Sequence, residues 1–162
     1  MTGSAPFNEL VGELDFPMFI VTARAGEELA GCLVGFATQT SINPSRFLVC
    51  LSLANHTTRI AAMASHVAVH FVPDTATDLA ELFGGVTGDE ADKFARCDWH
   101  PGPHGLPILD ACENWFVGRV VERVDLGDHV GHLLSPEISH HGATGPEFAF
   151  HRAQSIEPGH EP

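Results

Sequence analysis

Gly31-Cys32-Leu33-Val34-Gly35-Phe36-Ala37-Thr38-Gln39-Thr40-Ser41-Ile42-Asn43-Pro44 opens the stretch whose reading decides the fold. The apolar run Phe47 to Leu53, followed by Asn55-His56-Thr57-Thr58, completes it. The first strand-like run ends in four consecutive small or polar residues, Thr38, Gln39, Thr40 and Ser41, and Pro44 stops it. Two buried strands would thus deliver hydroxyls, amides and backbone N–H groups to neighbouring positions. Such a surface suits a planar, phosphorylated cofactor. Gly31 and Gly35 cost strand stability, which points to a bulge or to backbone that must approach something closely.

Working outward, Phe16 to Ala23 reads as a strand and Arg24 to Glu28, with Gly26, as a hairpin turn. Leu29 to Thr38 is the returning strand, and Phe47 to Leu53 a third. Thr57 to Ser65 reads as a helix capped by Asn55 or Thr57. Val67 to Val72 is a strand stopped by Pro73. Thr77 to Phe83 is a short helix, Gly84 to Gly88 a breaker, and Asp89 to Ala95 one or two helical turns. Arg96 to Pro107, with three prolines and two glycines, reads as loop. Trp115 to Val124 and Val130 to Leu134 flank the turn Asp125-Leu126-Gly127-Asp128, where glycine favours a positive φ. Ser135 onward reads as loop, with Glu147 to Phe150 an edge strand. The first dozen residues read as a lead-in or a short helix. About six short strands with two interrupting helices predict a mainly β domain, a closed or split antiparallel barrel, rather than a doubly wound parallel sheet. At 162 residues the chain reads as one domain, with its core over about 12–152.

The bulk composition narrows the function. Eight basic against 21 acidic residues, a net charge of −13, argue against nucleic acid and against an anionic membrane surface. Four cysteines without a C-x-x-C pair suggest neither a zinc ribbon nor a dithiol redox site. The N-terminus does not read as a signal peptide, and no apolar run reaches the ~20 residues of a membrane span. These features predict a soluble, reducing, cytoplasmic setting. There is no G-x-G-x-x-G after a strand, no Walker loop and no Gly-x-Ser-x-Gly elbow. No metal is expected: His129 and His132 would face opposite sides of a strand, and zinc-type ligand spacings are absent.

Four segments remain as carriers of chemistry, each with a structural alternative. Thr38 to Ser41 would offer backbone donors, or simply make a polar turn. Asn55, Thr57 and Thr58 open a helix and would seat a phosphate, or merely cap that helix. Lys93 would reach a phosphate and Phe94 a cofactor ring, or the first would be solvated and the second core. His129, with Asp128 to orient it, would reach over a pocket mouth and act near neutral pH, or be an exposed structural residue.

In this order and at these separations, Gly35 to Pro44, Asn55 to Thr58, Asp92-Lys93-Phe94 and Gly127-Asp128-His129 resemble the flavin reductase family. The similarity covers roughly Phe16 to Leu134. The resemblance implies an FMN-binding split barrel of Greek-key antiparallel strands with a few short helices, forming a homodimer with sites near the subunit interface. It implies NAD(P)H:flavin oxidoreductase activity, with FMN or FAD as flavin and NADH or NADPH as co-substrate, and a monooxygenase component as a recipient of reduced flavin. Thr38 to Ser41 would line the isoalloxazine and ribityl chain. Asn55, Thr57 and Thr58 would serve the phosphate end, Lys93 and Phe94 would close the site, and His129 would lie where the nicotinamide enters. The rival readings are a pyridoxamine-phosphate-oxidase-like or deazaflavin-using enzyme on a similar barrel, a non-enzymatic flavin or haem carrier, and a structural subunit.

Overall fold

The computed structural model describes residues 4–86, 92–142 and 144–157. Seven antiparallel strands form one sheet: β1 (Phe19–Ala25), β2 (Glu28–Val34), β3 (Ala37–Ser41), β4 (Arg46–Ser52), β5 (His66–Phe71), β8 (Trp115–Asp125) and β9 (His129–His140). Their order is β2-β1-β5-β8-β9-β4-β3. β6 (Trp99–Pro101) and β7 (Pro107–Leu109) form a separate small hairpin. The helices are α1 (Ala5–Gly12), α2 (His56–Ala61), α3 (Thr77–Gly85) and α4 (Phe150–Ala153).

One connection explains why this sheet rolls up. β2 and β3 are its opposite edges, yet only Gly35 and Phe36 join them. Laid flat, seven strands at about 4.8 Å spacing would separate the edges by about 29 Å. The three Cα steps from Val34 to Ala37 reach about 11 Å at most. The sheet must curl until its edges come together, while Cys50 N–H donates to Phe36 O at 2.9 Å and extends the β3–β4 ladder into the connection. The seam is not zipped by a continuous ladder, so the barrel is split.

Side chains of alternate strand positions build two cores. Phe19, Val21 and Ala23 of β1 face the barrel interior with Cys32, Val34, Val49, Leu51, Val69 and Leu134. Met18 and Ile20 face the other way, against Leu79, Ala80 and Phe83 of α3 and against Phe148. Burial on both faces is why β1 reads as a continuous apolar run. The chain end completes this second layer. Phe148 N–H donates to Val72 O, Met18 N–H to Phe148 O, and Phe150 N–H to Phe16 O.

Several local expectations change. Thr38 to Ser41 belongs to the edge strand β3, paired with β4 through Ala37↔Val49 and Thr38↔Leu48 with a register shift between Gln39 and Ser41, rather than to a loop. The ladder with β4 captures residues whose polarity alone read as a turn. β9 runs six residues past Leu134. Pro136 is accommodated on it because it sits beside a register shift between Val117 and Gly118 of β8. The stretch read as loop from Arg96 contains the β6–β7 hairpin. Glu147 and Ala149 make only isolated bridges before α4. The turn at Gly127, φ +119°, is as expected. Of the helical turns expected over Asp89 to Ala95, the part from Lys93 to Ala95 is a 3₁₀ turn, and residues 87–91 lie outside the described residues.

Buried His70 sets an acid limit on the fold. Its Nδ1–H donates to Ile20 O at 3.0 Å, and its Nε2 accepts from Leu109 N–H at 3.1 Å, so the neutral ring is satisfied at both nitrogens. Burial pushes its pKa down from 6.5 to about 4. Below pH 6.5 the unfolded chain takes up a proton that the folded one refuses. Stability is therefore full above pH 6.5 and falls as pH drops towards 4, by about 3 kcal/mol from this group. An NMR titration of the His70 ring should give a midpoint near 4; a midpoint near 6.5 would refute this.

Candidate active site

The seam leaves a groove of about 310 Å³. The end of β2 and the Gly35–Phe36 connection make one wall, and β4 the other. Val49 and Leu51 point into the barrel, so Cys50 and Ser52 face outward to the groove. Met18, Leu33, Phe83 and Phe150 supply its apolar lining, Asn55 its polar end. His129, the first residue of β9, stands at the groove with its ring centroid 5.0 Å from that of Phe36. Its Nδ1 bonds Asp128 Oδ1 at 2.7 Å. With Nδ1–H donating to that carboxylate, the imidazole is held with Nε2 available on its other side. The hydrogen bond and the nearby imidazole lower the Asp128 pKa.

A second recess, about 420 Å³, opens behind α2 and is lined by Glu27, Glu28, His56, Thr57, Asp92 and Lys93 among others. The two recesses meet where α2 begins, with Asn55 in one and His56 and Thr57 in the other. Asn55 Oδ1 accepts from Thr57 N–H at 2.9 Å, which is why the helix starts there. His56 pairs with Glu28 at 3.1 Å. Three carboxylates on the second recess make it a poor seat for a whole anionic cofactor. The groove, with an apolar lining and one polar end, is the better seat for a flat ring with a polar tail.

The expected site residues scatter in instructive ways. Asn55 and His129 come together on the groove. Thr57 is buried beside Cys32, and Thr58 Oγ1 donates to Ser52 O inside the fold. Lys93, expected at the surface if it had no ligand, is 4% exposed. Its ammonium donates to Gly31 O at 2.8 Å and Phe83 O at 3.2 Å, and burial pushes its pKa down, opposed by the neighbouring Cys32. Phe94 is core, edge-on to Phe83 and Trp99. Thr38, Gln39, Thr40 and Ser41 line neither recess of this chain: Thr38 Oγ1 donates to Gln39 O and Gln39 Nε2 to Ser41 O along β3. Cys50, Ser52, Phe83 and Phe150 were not singled out from sequence. Gly35 carried a signal, as glycine in a strand often marks close backbone approach. Phe83 and Phe150 carried none, because only folding brings them to the seam.

The flavin reductase like domain family matches residues 11–137. The chain belongs to that family. Stachydrine N-demethylase reductase subunit Stc3 of Rhizobium meliloti (strain 1021) is 29% identical over 114 residues, 68% of this chain and 48% of that protein. FMN reductase (NADH) RutF of Klebsiella pneumoniae subsp. pneumoniae is 26% identical over 129 residues, 80% of this chain and 78% of that protein. The chain thus spans about half the length of the first of these, and 36% of another Rhizobium meliloti relative. Among solved structures, nitrilotriacetate monooxygenase component B from Mycobacterium thermoresistibile superposes with a TM-score of 0.80 at 22% identity, over 91% of this chain and 82% of that one. The split barrel of the flavin reductase like family is therefore the fold of this chain.

Proposed function

We propose that the chain is an NAD(P)H-dependent flavin reductase whose flavin ring occupies the groove at the barrel seam. The observation that carries this reading is the convergence of an apolar slot, the Asn55 end and an oriented His129 at the seam of the sheet. The redox chemistry, hydride transfer between nicotinamide C4 and flavin N5, would be supplied by FMN or FAD when bound. The chain's part is to orient, to exclude water and to place a proton-bearing group. Leu33 and Phe83 exclude water from the ring. Gly35 and Phe36 bring backbone close to it. Asn55 and Thr57, at the start of α2, would hold the ribityl and phosphate end, with Lys93 behind that wall. His129, held by Asp128, meets the nicotinamide. Thr38 to Ser41 then serve a flavin only from a second copy of the chain. Exposed Phe36, Ile42 and Leu53 around the seam support burial against such a copy, as a homodimer.

The name of the Mycobacterium relative supports delivery of reduced flavin to a monooxygenase component. The four free thiols fit a reducing, cytoplasmic setting. Among the described residues no helix is long and apolar enough to cross a membrane.

The test is the absorbance of the purified protein with FMN as NADH and NADPH are added in turn. Bleaching of the yellow chromophore is expected, and no bleaching with either nucleotide sinks the reading. His129→Ala should raise the KM for the nicotinamide nucleotide about tenfold and leave the KM for FMN nearly unchanged. Equal changes in both would remove its nicotinamide role.

A further inference from the structure

Away from the seam, three side chains distant in sequence converge on one spot. His66 opens β5, His104 lies in the turn between β6 and β7, and Glu137 lies on β9. The imidazoles of His66 and His104 stack face to face, with centroids 3.7 Å apart and planes inclined by 14°. His66 Nε2 lies 3.1 Å from Glu137 Oε2. One donor atom from each of the three lies within 4.8 Å of the others. None of the three lines the groove or the second recess.

The geometry points to a divalent cation site of the zinc class, with His66, His104 and Glu137 as ligands and a fourth position open to water. Two imidazoles and one carboxylate are the donor set that borderline transition ions favour over magnesium or calcium. Tetrahedral zinc with bonds of about 2.0–2.1 Å needs donors about 3.4 Å apart, so the three must close by roughly 1.4 Å at most. Because stacked rings cannot both aim an in-plane nitrogen at one ion, binding must also unstack them, and exposed His104 can do both by side-chain rotation.

The surroundings match what metal ligands need around them. Ser65 Oγ bonds His66 Nδ1 at 2.8 Å, leaving Nε2 for the site. Arg119 Nε donates to Glu137 Oε1 at 3.2 Å, leaving Oε2 turned to His66. Second groups of this kind orient the ring and the carboxylate of ligands. His104 adopts φ 58°, a left-handed conformation uncommon for a residue with a side chain. That conformation presents its ring to His66. A bound ion would staple the β6–β7 hairpin to β5 and β9, a structural role separate from flavin chemistry.

The test titrates the chelator-treated full chain with Co²⁺, followed by Zn²⁺ competition. One equivalent of Co²⁺ should bind with visible d–d absorption, and Zn²⁺ should abolish the signal. His66→Ala and His104→Asn should each weaken binding at least tenfold; asparagine tolerates the left-handed turn, so the second variant keeps the fold. Glu137→Gln should weaken binding less, and His100→Ala and His140→Ala should leave it unchanged. Zn²⁺ should raise the melting temperature of the parent and not that of His104→Asn. No cobalt spectrum in the parent, or equal affinity in His104→Asn, overturns the site.

Discussion

A Cys50→Phe variant should bind FMN at least about a hundredfold more weakly than the parent and melt at nearly the same temperature. Cys50 stands on the outward face of β4 and lines the groove, while its neighbours Val49 and Leu51 carry the barrel core. A phenyl ring there has no room to turn inward, so it must lie in the slot where the flavin ring belongs. A hundredfold loss corresponds to about 3 kcal/mol, in the range expected for losing the apolar contacts of one side of a buried ring. Burial raises the thiol pKa, so Cys50 acts as an uncharged piece of wall rather than a nucleophile. Cys50→Ala should accordingly keep FMN affinity within a few-fold. Fluorescence titration with FMN, paired with a thermal melt, reads both. Parent-like binding by Cys50→Phe would move the flavin out of the seam.

Lys93→Met should lower the stability of the flavin-free protein by about 2–4 kcal/mol, a drop in melting temperature on the order of 10 °C. Methionine keeps the length of the side chain and removes the donor. The carbonyls of Gly31 and Phe83 would then be left unpartnered in the interior. Those two bonds tie β2 to the end of α3, and their loss would loosen the groove's wall at Phe83. The site around Gly31 is tight: a Cβ there would lie 2.7 Å from the Phe83 ring. A Lys93 that served only as a phosphate clamp would predict the reverse, an unchanged melt without flavin and a weaker FMN Kd. Differential scanning calorimetry of the flavin-free variant separates the two.

These two residues also illustrate how far the chain could be read without its structure. Lys93 sits in a polar, charged segment, and local pattern made it either a ligand or a solvated cation. Its burial depends on Gly31 and Phe83 presenting carbonyls to it, a relation between segments far apart in sequence. Thr38 to Ser41 misled for a related reason. Their polarity reads as a turn, but pairing with Leu48 and Val49 makes them a strand, and an edge strand tolerates polar side chains because one of its sides meets solvent. His129 and Asn55 both lie on the groove, because His129 opens β9, Asn55 follows the end of β4, and strand ends gather at the rim of a barrel.

Alternation and punctuation, which are local properties, determined the strand count to within a few, the hairpin at Gly26, the turn at Gly127 and a helix start at Asn55 or Thr57, of which the structure takes Asn55. Together with the ordered segments from Gly35 to His129, they were enough to name the family. Only the tertiary structure decided where the sheet opens, that Phe83 and Phe150 wall the seam, that Lys93 faces inward, and that His66, His104 and Glu137 meet. Backbone propensity acts over a few residues, whereas the closure of a rolled sheet is imposed by the two-residue link between its opposite edges.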